Sequence, residues 1–247
     1  RVFCVGGSTT FGTGNETNTT YPALLQNMLG DRYEVVNAGV SGWGIYQHNY
    51  RLRKDLAAYK PDKLVVHTVI NSLDYPHKMF KYDNRIAYQL FKYSYVFKLM
   101  DLMLARTELF TFHYRFCNDR NAELSVKAHY RRLGTDGPDK YMEEVSDLIL
   151  FAKRTGIELF VVVPPLRTDS KFYPREWDAH DEMYNRIRQR ISNDYDVLLN
   201  EQNVRLIDLT TLFSDTNKMD ETFYDTIHPL APANKLIAEE ISFAIRE

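Results

Sequence analysis

Arg1-Val-Phe-Cys-Val-Gly-Gly-Ser-Thr-Thr-Phe-Gly12 opens the chain. Val2 to Val5 form an unbroken apolar run that stops at Gly6 and Gly7, the pattern of a strand buried on both faces of a parallel sheet and ended by a tight turn. That turn presents Ser8 at the carboxyl end of the strand, where open α/β sheets place their ligands. A serine hydroxyl is a weak nucleophile until a base takes its proton, so the chemistry of Ser8 depends on a partner elsewhere in the chain.

Downstream, strands and helices alternate. Thr20 to Leu29 reads as a helix with Pro22 in its first turn, Tyr33 to Asn37 as a second strand, and Ala38 to Gly44 as a loop whose three glycines allow sharp bends or close backbone approach. Ile45 to Tyr59 is helical in pattern and is broken by Lys60-Pro61-Asp62. Lys63 to Asn71, rich in β-branched residues, reads as the central third strand. After an interruption come a helix over Asp139–Arg154 and a fourth strand over Ile157–Val163. A helix near Trp177–Asn193, a fifth strand over Val204–Asp208 and a terminal helix over Pro229–Arg246 complete the pattern. Such alternation predicts a right-handed parallel βαβ sheet.

The interruption, residues 75–138, shows no core strand and is crowded with aromatics. Tyr88, Phe91, Tyr95, Leu99, Leu102 and Met103 follow helical spacing, which predicts a helical insertion or cap within one domain spanning residues 1–247. Its apolar walls suit an acyl pocket, its aromatics suit a sugar, and the same spacing also suits a subdomain packed on itself or on another protein.

Bulk composition narrows the functional classes. Across 247 residues, 31 basic side chains face 33 acidic ones, a net charge of -2 that gives no support for nucleic-acid binding. No apolar stretch reaches the length of a membrane span. Cys4 and Cys117 do not make a disulfide framework, so they leave the compartment open. Arg1 precedes a strand directly, which reads as a segment removed upstream: a signal peptide, a membrane anchor or another domain, with an extracytoplasmic or anchored setting among the alternatives.

Among seven histidines, His67 falls inside the third strand and reads as a hydrogen-bonded core group, whereas His228 lies in Asp225-Thr-Ile-His228-Pro229, a loop just before the last helix. In a tight loop Asp225 can accept from one imidazole N–H, fixing the tautomer and leaving the other nitrogen to take the serine proton. Alternatively, the pair merely caps the helix. Acyl transfer also needs donors for an oxyanion, and the strand ends offer the backbone N–H of Ser8, that of Gly42 and the side-chain amide of Asn71. Singly, Gly42 is also an ordinary turn glycine and Asn71 an ordinary strand terminator. A Gly-x-Ser-x-Gly elbow is absent, because Thr10 stands at its second glycine.

Gly6-Gly-Ser8-Thr, Asn37-Ala-Gly-Val-Ser-Gly42, Ile70-Asn71 and Asp225-Thr-Ile-His228-Pro together resemble the four blocks of the SGNH hydrolases, also called GDSL esterases and lipases. The order matches along nearly the whole chain apart from the insertion. The resemblance implies a flavodoxin-like, three-layer α/β/α sandwich on a five-stranded parallel sheet, with no metal or organic cofactor. It implies Ser8 as nucleophile, Ser8, Gly42 and Asn71 as the oxyanion hole, His228 as base and Asp225 as its orienter. Gly7 stands where the GDSL name has Asp, and Val69-Ile-Asn71-Ser72 where Gly-x-Asn-Asp is usual. The expected activity is hydrolysis of an acetyl or other short acyl ester of a carbohydrate or small molecule through an acyl-Ser8 intermediate. An O-acyltransferase acting on a glycan and a catalytically idle binding module are the alternatives.

Overall fold

The computed structural model describes residues 1–72, 96, 137–165, 185–187, 189–191, 193, 203–210, 212–213, 222–225 and 227–247. Five strands form one parallel sheet: β1 (Val2–Gly6), β2 (Val35–Asn37), β3 (Lys63–His67), β4 (Glu158–Val163) and β5 (Val204–Asp208). Their order is β2-β1-β3-β4-β5, so the winding reverses between β1 and β3. Open sheets of this order bind ligands in the crevice at the carboxyl ends of those two strands.

Strand side chains alternate between two buried layers. Phe3 and Val5 of β1, Val66 of β3 and Val161 of β4 belong to one core. Helices α3 (Ile45–Lys54) and α5 (Gly137–Thr155) cover it, with Ile45, Leu52, Val145 and Leu148 packed inward. Val2, Cys4, Val65 and Val162 belong to the other, beneath α2 (Tyr21–Leu29) and α6 (Ala231–Arg246), which bury Leu25, Ile237 and Ile241. Each fully buried Leu or Ile contributes about 1.5–3 kcal/mol of transfer free energy, so both layers of helices are held by their apolar stripes. These are the three layers that the family resemblance implies, built on the parallel sheet that the alternation predicts.

The elements differ from the sequence reading mainly at their ends. β2 begins at Val35 rather than Tyr33. The helix expected over Ile45–Tyr59 divides: α3 stops at Lys54, a 3-10 turn spans Leu56–Tyr59, and Lys60 takes a left-handed φ of 49° before Pro61. Thr20 stands at the N-cap of α2, but its hydroxyl bonds back to the carbonyl of Thr17. The most consequential difference lies at the third strand. β3 ends at His67, and Val69–Ser72 turns into a short helix, α4, so Asn71 projects from a helical turn instead of terminating a strand. A short run of β-branched residues does not by its pattern distinguish a strand from a buried helical turn.

Of the 75–138 insertion only Val96 and residues 137 and 138 are described, and most of the helix expected near Trp177–Asn193 lies outside the described residues as well. No helix among the described residues is long and apolar enough to cross a membrane.

His67 is buried and its Nδ1 has no hydrogen-bond partner, in contrast to the hydrogen-bonded core group that its strand position suggests. The ring lies against Tyr21, with centroids 5.8 Å apart. Burial lowers its pKa from 6.5 to about 4, so the folded protein keeps it neutral. Between these values the unfolded chain binds the extra proton, and stability falls as pH drops through that window. By this linkage the His67 contribution to the loss is on the order of 3 kcal/mol between pH 6.5 and about 4. Urea denaturation at both pH values checks it: His67→Phe should lose correspondingly less, and an equal loss in both proteins would exclude His67 as the cause.

Candidate active site

β1 runs directly into α1 (Ser8–Phe11), a single helical turn that begins at Ser8 and ends at Gly12, whose φ of 99° is left-handed. As the first helical residue, Ser8 has a backbone N–H with no intrahelical acceptor. The turn is seated on glycines: a Cβ on Gly6 would fall 2.1 Å from Thr10 Oγ1 and 2.4 Å from the His67 carbonyl. A side chain at Gly6 would press α1 away from the sheet, and Ser8 with it.

The loop that carries His228 is folded by backbone contacts on both sides. Tyr224 N–H donates to the His228 carbonyl at 2.8 Å and Leu230 N–H to the Thr222 carbonyl at 2.7 Å. Inside that closure, Asp225 Oδ1 accepts from the backbone N–H groups of Ile227 and His228, both at 2.8 Å. Its other oxygen lies 2.6 Å from His228 Nδ1, and His228 Nε2 lies 2.7 Å from Ser8 Oγ. Three side chains separated by up to 220 residues thus form one hydrogen-bonded chain. With the Nδ1 proton donated to Asp225, Nε2 carries the free lone pair and accepts from the Ser8 hydroxyl.

The site is largely sheltered: Ser8 is 8% exposed, and the side chains of His228 and Asp225 are 14% and 16% exposed. Burial, the largest influence on the Asp225 carboxyl, pushes its pKa up. Hydrogen bonds from the His228 imidazole and from the two backbone N–H groups, together with the imidazole charge, outweigh it and hold the pKa below the ordinary carboxylate value. Asp225 therefore stays ionised beside the ring it orients, and an ionised partner stabilises the imidazolium formed when Nε2 gains a proton.

Further links fix the two segments to one another. Thr9 Oγ1 donates to the Ile227 carbonyl at 3.3 Å, Asn15 Nδ2 to the Pro229 carbonyl at 2.8 Å, and Asn234 Nδ2 to the Thr19 carbonyl at 3.1 Å. These bonds restrain the Ser8–His228 separation through the backbone as well as through the side chains.

Asn71 reaches the same place from α4. It lines a small pocket beside Ser8 together with Gly7, Thr68, Val69, Pro164 and Ile227. The Asn71 amide is wedged between two backbones, donating to the Trp43 carbonyl at 3.1 Å and lying so near Gly7 that a Cβ there would be 2.1 Å from Nδ2. Gly7, in place of the Asp that names the motif, is what leaves this room. Gly42 is held one residue from Trp43 in a turn closed by Trp43 N–H on the Val40 carbonyl at 3.1 Å. Its φ of 77° at the third position of that turn is the requirement of a type II turn, which glycine meets without strain. The structure thus brings Ser8 and Asn71 together at one pocket and joins Ser8 to His228 and Asp225 by hydrogen bonds, whereas Gly42 does not line that pocket.

Two residues beside the site carry no motif of their own. Tyr224, adjacent to Asp225, lays its ring over Gly14, 3.5 Å from an ideal Cβ there, and remains 62% exposed. Phe11, three residues after Ser8 on α1 and hence on the same face, is 57% exposed. Their only sequence signal is adjacency to residues of the hydrogen-bonded chain.

A model of the GDSL-like Lipase/Acylhydrolase family matches residues 4–236. Over 74 residues the chain is 40% identical to an acetylxylan esterase of Xylanibacter ruminicola, a stretch covering 27% of this chain and 15% of that protein. The chain thus spans a small part of the curated relative. Among solved structures, the acetyl xylan esterase AlAXEase superposes with a TM-score of 0.58 at 17% identity, covering 99% of this chain and 98% of the other. Axe2, an acetylxylan esterase from Geobacillus stearothermophilus, gives a TM-score of 0.55 at 16% identity over 99% and 93% of the two chains. At these identities the structural likeness speaks for the fold.

Proposed function

The chain belongs to the GDSL-like Lipase/Acylhydrolase family, a family of carboxylic-ester hydrolases, and from that premise we propose that it removes acetyl or other short acyl groups from a carbohydrate ester through an acyl-Ser8 intermediate. The observation that carries this reading is the Ser8–His228–Asp225 hydrogen-bond chain, at 2.7 and 2.6 Å. Ser8 Oγ attacks the ester carbonyl carbon while its proton passes to His228 Nε2. The tetrahedral intermediate places its oxyanion toward the Ser8 N–H and the Asn71 amide, with Gly42 N–H as the third donor. Each such donor is worth about 2.7–4 kcal/mol when removed from comparable sites. Collapse expels the alcohol, which takes the proton from His228. Water then attacks the acyl-Ser8 carbonyl by the same proton route, releasing the carboxylic acid and restoring Ser8.

The sheltered pocket lined by Asn71, Val69 and Ile227 suits a small acyl group, and the exposed rings of Phe11 and Tyr224 suit the apolar face of a sugar on the alcohol side. The acetylxylan esterase match points to the same substrate class. Intact-mass analysis after mixing with p-nitrophenyl acetate is the direct test. Wild type should show a transient acetyl adduct that Ser8→Ala lacks, and an adduct of equal size in both would overturn the reading.

The carbohydrate assignment has its own measurement. Tyr224→Ala should raise KM for acetylated xylo-oligosaccharides by about 5- to 10-fold, corresponding to a stacking contribution near 1 kcal/mol. Turnover of p-nitrophenyl acetate, which has no sugar to stack, should stay within about two-fold. A parallel loss on both substrates would place Tyr224 in the stability of the His228 loop and not in sugar binding.

A further inference from the structure

We propose that Ser72 is a positioning residue that locks the Asn71 amide and the Gly42 turn into one rigid oxyanion unit. This rests on the esterase reading above. Ser72 is 2% exposed and uses its hydroxyl in both directions. Oγ donates to the Thr68 carbonyl at 2.5 Å, one helical turn back, and accepts from the backbone N–H of Ile45 at 3.0 Å. Ile45 is the first residue of α3 and follows the Gly42–Gly44 loop directly, so this single hydroxyl ties α4 to the start of α3.

Two neighbouring contacts close the same seam. Asn71 Nδ2 donates to the Trp43 carbonyl at 3.1 Å. Gly44 lies so close that a Cβ on it would be 3.0 Å from the Asn71 carbonyl and 3.1 Å from Ser72 Oγ. Ser72 occupies the position where a carboxylate is usual in this motif. A carboxylate could accept from Ile45 N–H but could not donate to the Thr68 carbonyl. The hydroxyl bridges a donor and an acceptor with one atom, which is what the seam between α4 and the α3 N-terminus requires.

Removing that atom leaves the Ile45 N–H and the Thr68 carbonyl without this shared partner in a buried seam. Asn71 and the Gly42 turn then move independently, and the loss appears where charge develops on the oxyanion. In the full chain, Ser72→Ala should lower kcat for p-nitrophenyl acetate about 10- to 100-fold while KM changes less than about three-fold. A small alkyl boronic acid, which forms a tetrahedral adduct on serine, should bind the variant more weakly by a similar factor. Ser72→Thr, which keeps the hydroxyl, should recover most of both. Ser72→Cys, of similar volume with weaker hydrogen bonds, provides an intermediate should the alanine variant fail to fold. A lowered melting temperature with kcat and boronate affinity unchanged would overturn the positioning role. An inactive wild type would instead strike at the esterase reading itself.

Discussion

Ser8→Ala should lower kcat for p-nitrophenyl acetate by roughly four to six orders of magnitude, with the melting temperature close to that of the wild type. Alanine removes Oγ, the atom that would bond to the acyl carbon, and leaves β1, Gly6, Gly7 and the α1 backbone as they are. His228→Ala should cost a comparable factor for a different reason. Ser8 Oγ would keep its place at the head of α1 but lose the acceptor 2.7 Å away that takes its proton. Because both atoms act in the same step, the double variant should be no slower than the worse single one. Multiplying losses would indicate that the two residues work in separate steps, contrary to the shared hydrogen bond. Retention of wild-type turnover in Ser8→Ala would remove Ser8 as nucleophile altogether.

The parts of this site that were legible in the sequence are those with a local chemical signature. Ser8 follows an apolar run and two glycines, and Asp225 and His228 sit three residues apart in a loop before a helix. Each pattern reports its own backbone environment: Ser8 opens α1, and Asp225 accepts from the His228 N–H within its loop. Asn71 was legible by type but not by conformation, since Val65, Val66 and Val69 read as one strand while the hydrogen bonds at the sheet's edge end it at His67. The third dimension supplied the rest. Nothing in the spacing of Thr9 and Ile227, or of Asn15 and Pro229, marks them as partners across more than 200 positions. Ser72 shows the same limit: the motif marks it only as a departure, whereas in the fold its hydroxyl meets two backbone groups that a carboxylate could not both satisfy. His67 differed in another way, because burial behind Tyr21 set its protonation and no hydrogen bond did.

Asp225→Asn isolates orientation from packing, because the two side chains have nearly the same shape. The asparagine oxygen can still accept from the Ile227 and His228 N–H groups, which hold Asp225 Oδ1 at 2.8 Å, so the loop should keep its fold. At the other position, 2.6 Å from His228 Nδ1 in the wild type, an NH2 group now donates. Nδ1 must become the acceptor, the ring proton moves to Nε2, and Nε2 donates to Ser8 Oγ when it should accept. Ser8 is then hydrogen-bonded but not activated, and kcat should fall by on the order of 10,000-fold with KM little changed. Acid stability supplies an independent readout of the same residue. Because the folded Asp225 pKa is depressed, the unfolded chain binds more protons as pH falls below the ordinary carboxylate value of about 3.9. Its contribution is present above that pH and is lost on acidification through the lower folded value. Urea midpoints compared at pH 6 and pH 3 should therefore converge between wild type and Asp225→Asn at the acid end, since the variant has no carboxylate to protonate. A variant that retains full turnover would show that His228 keeps its tautomer without Asp225, and a midpoint gap unchanged from pH 6 to pH 3 would show that the carboxylate's charge is not what the loop is built to hold.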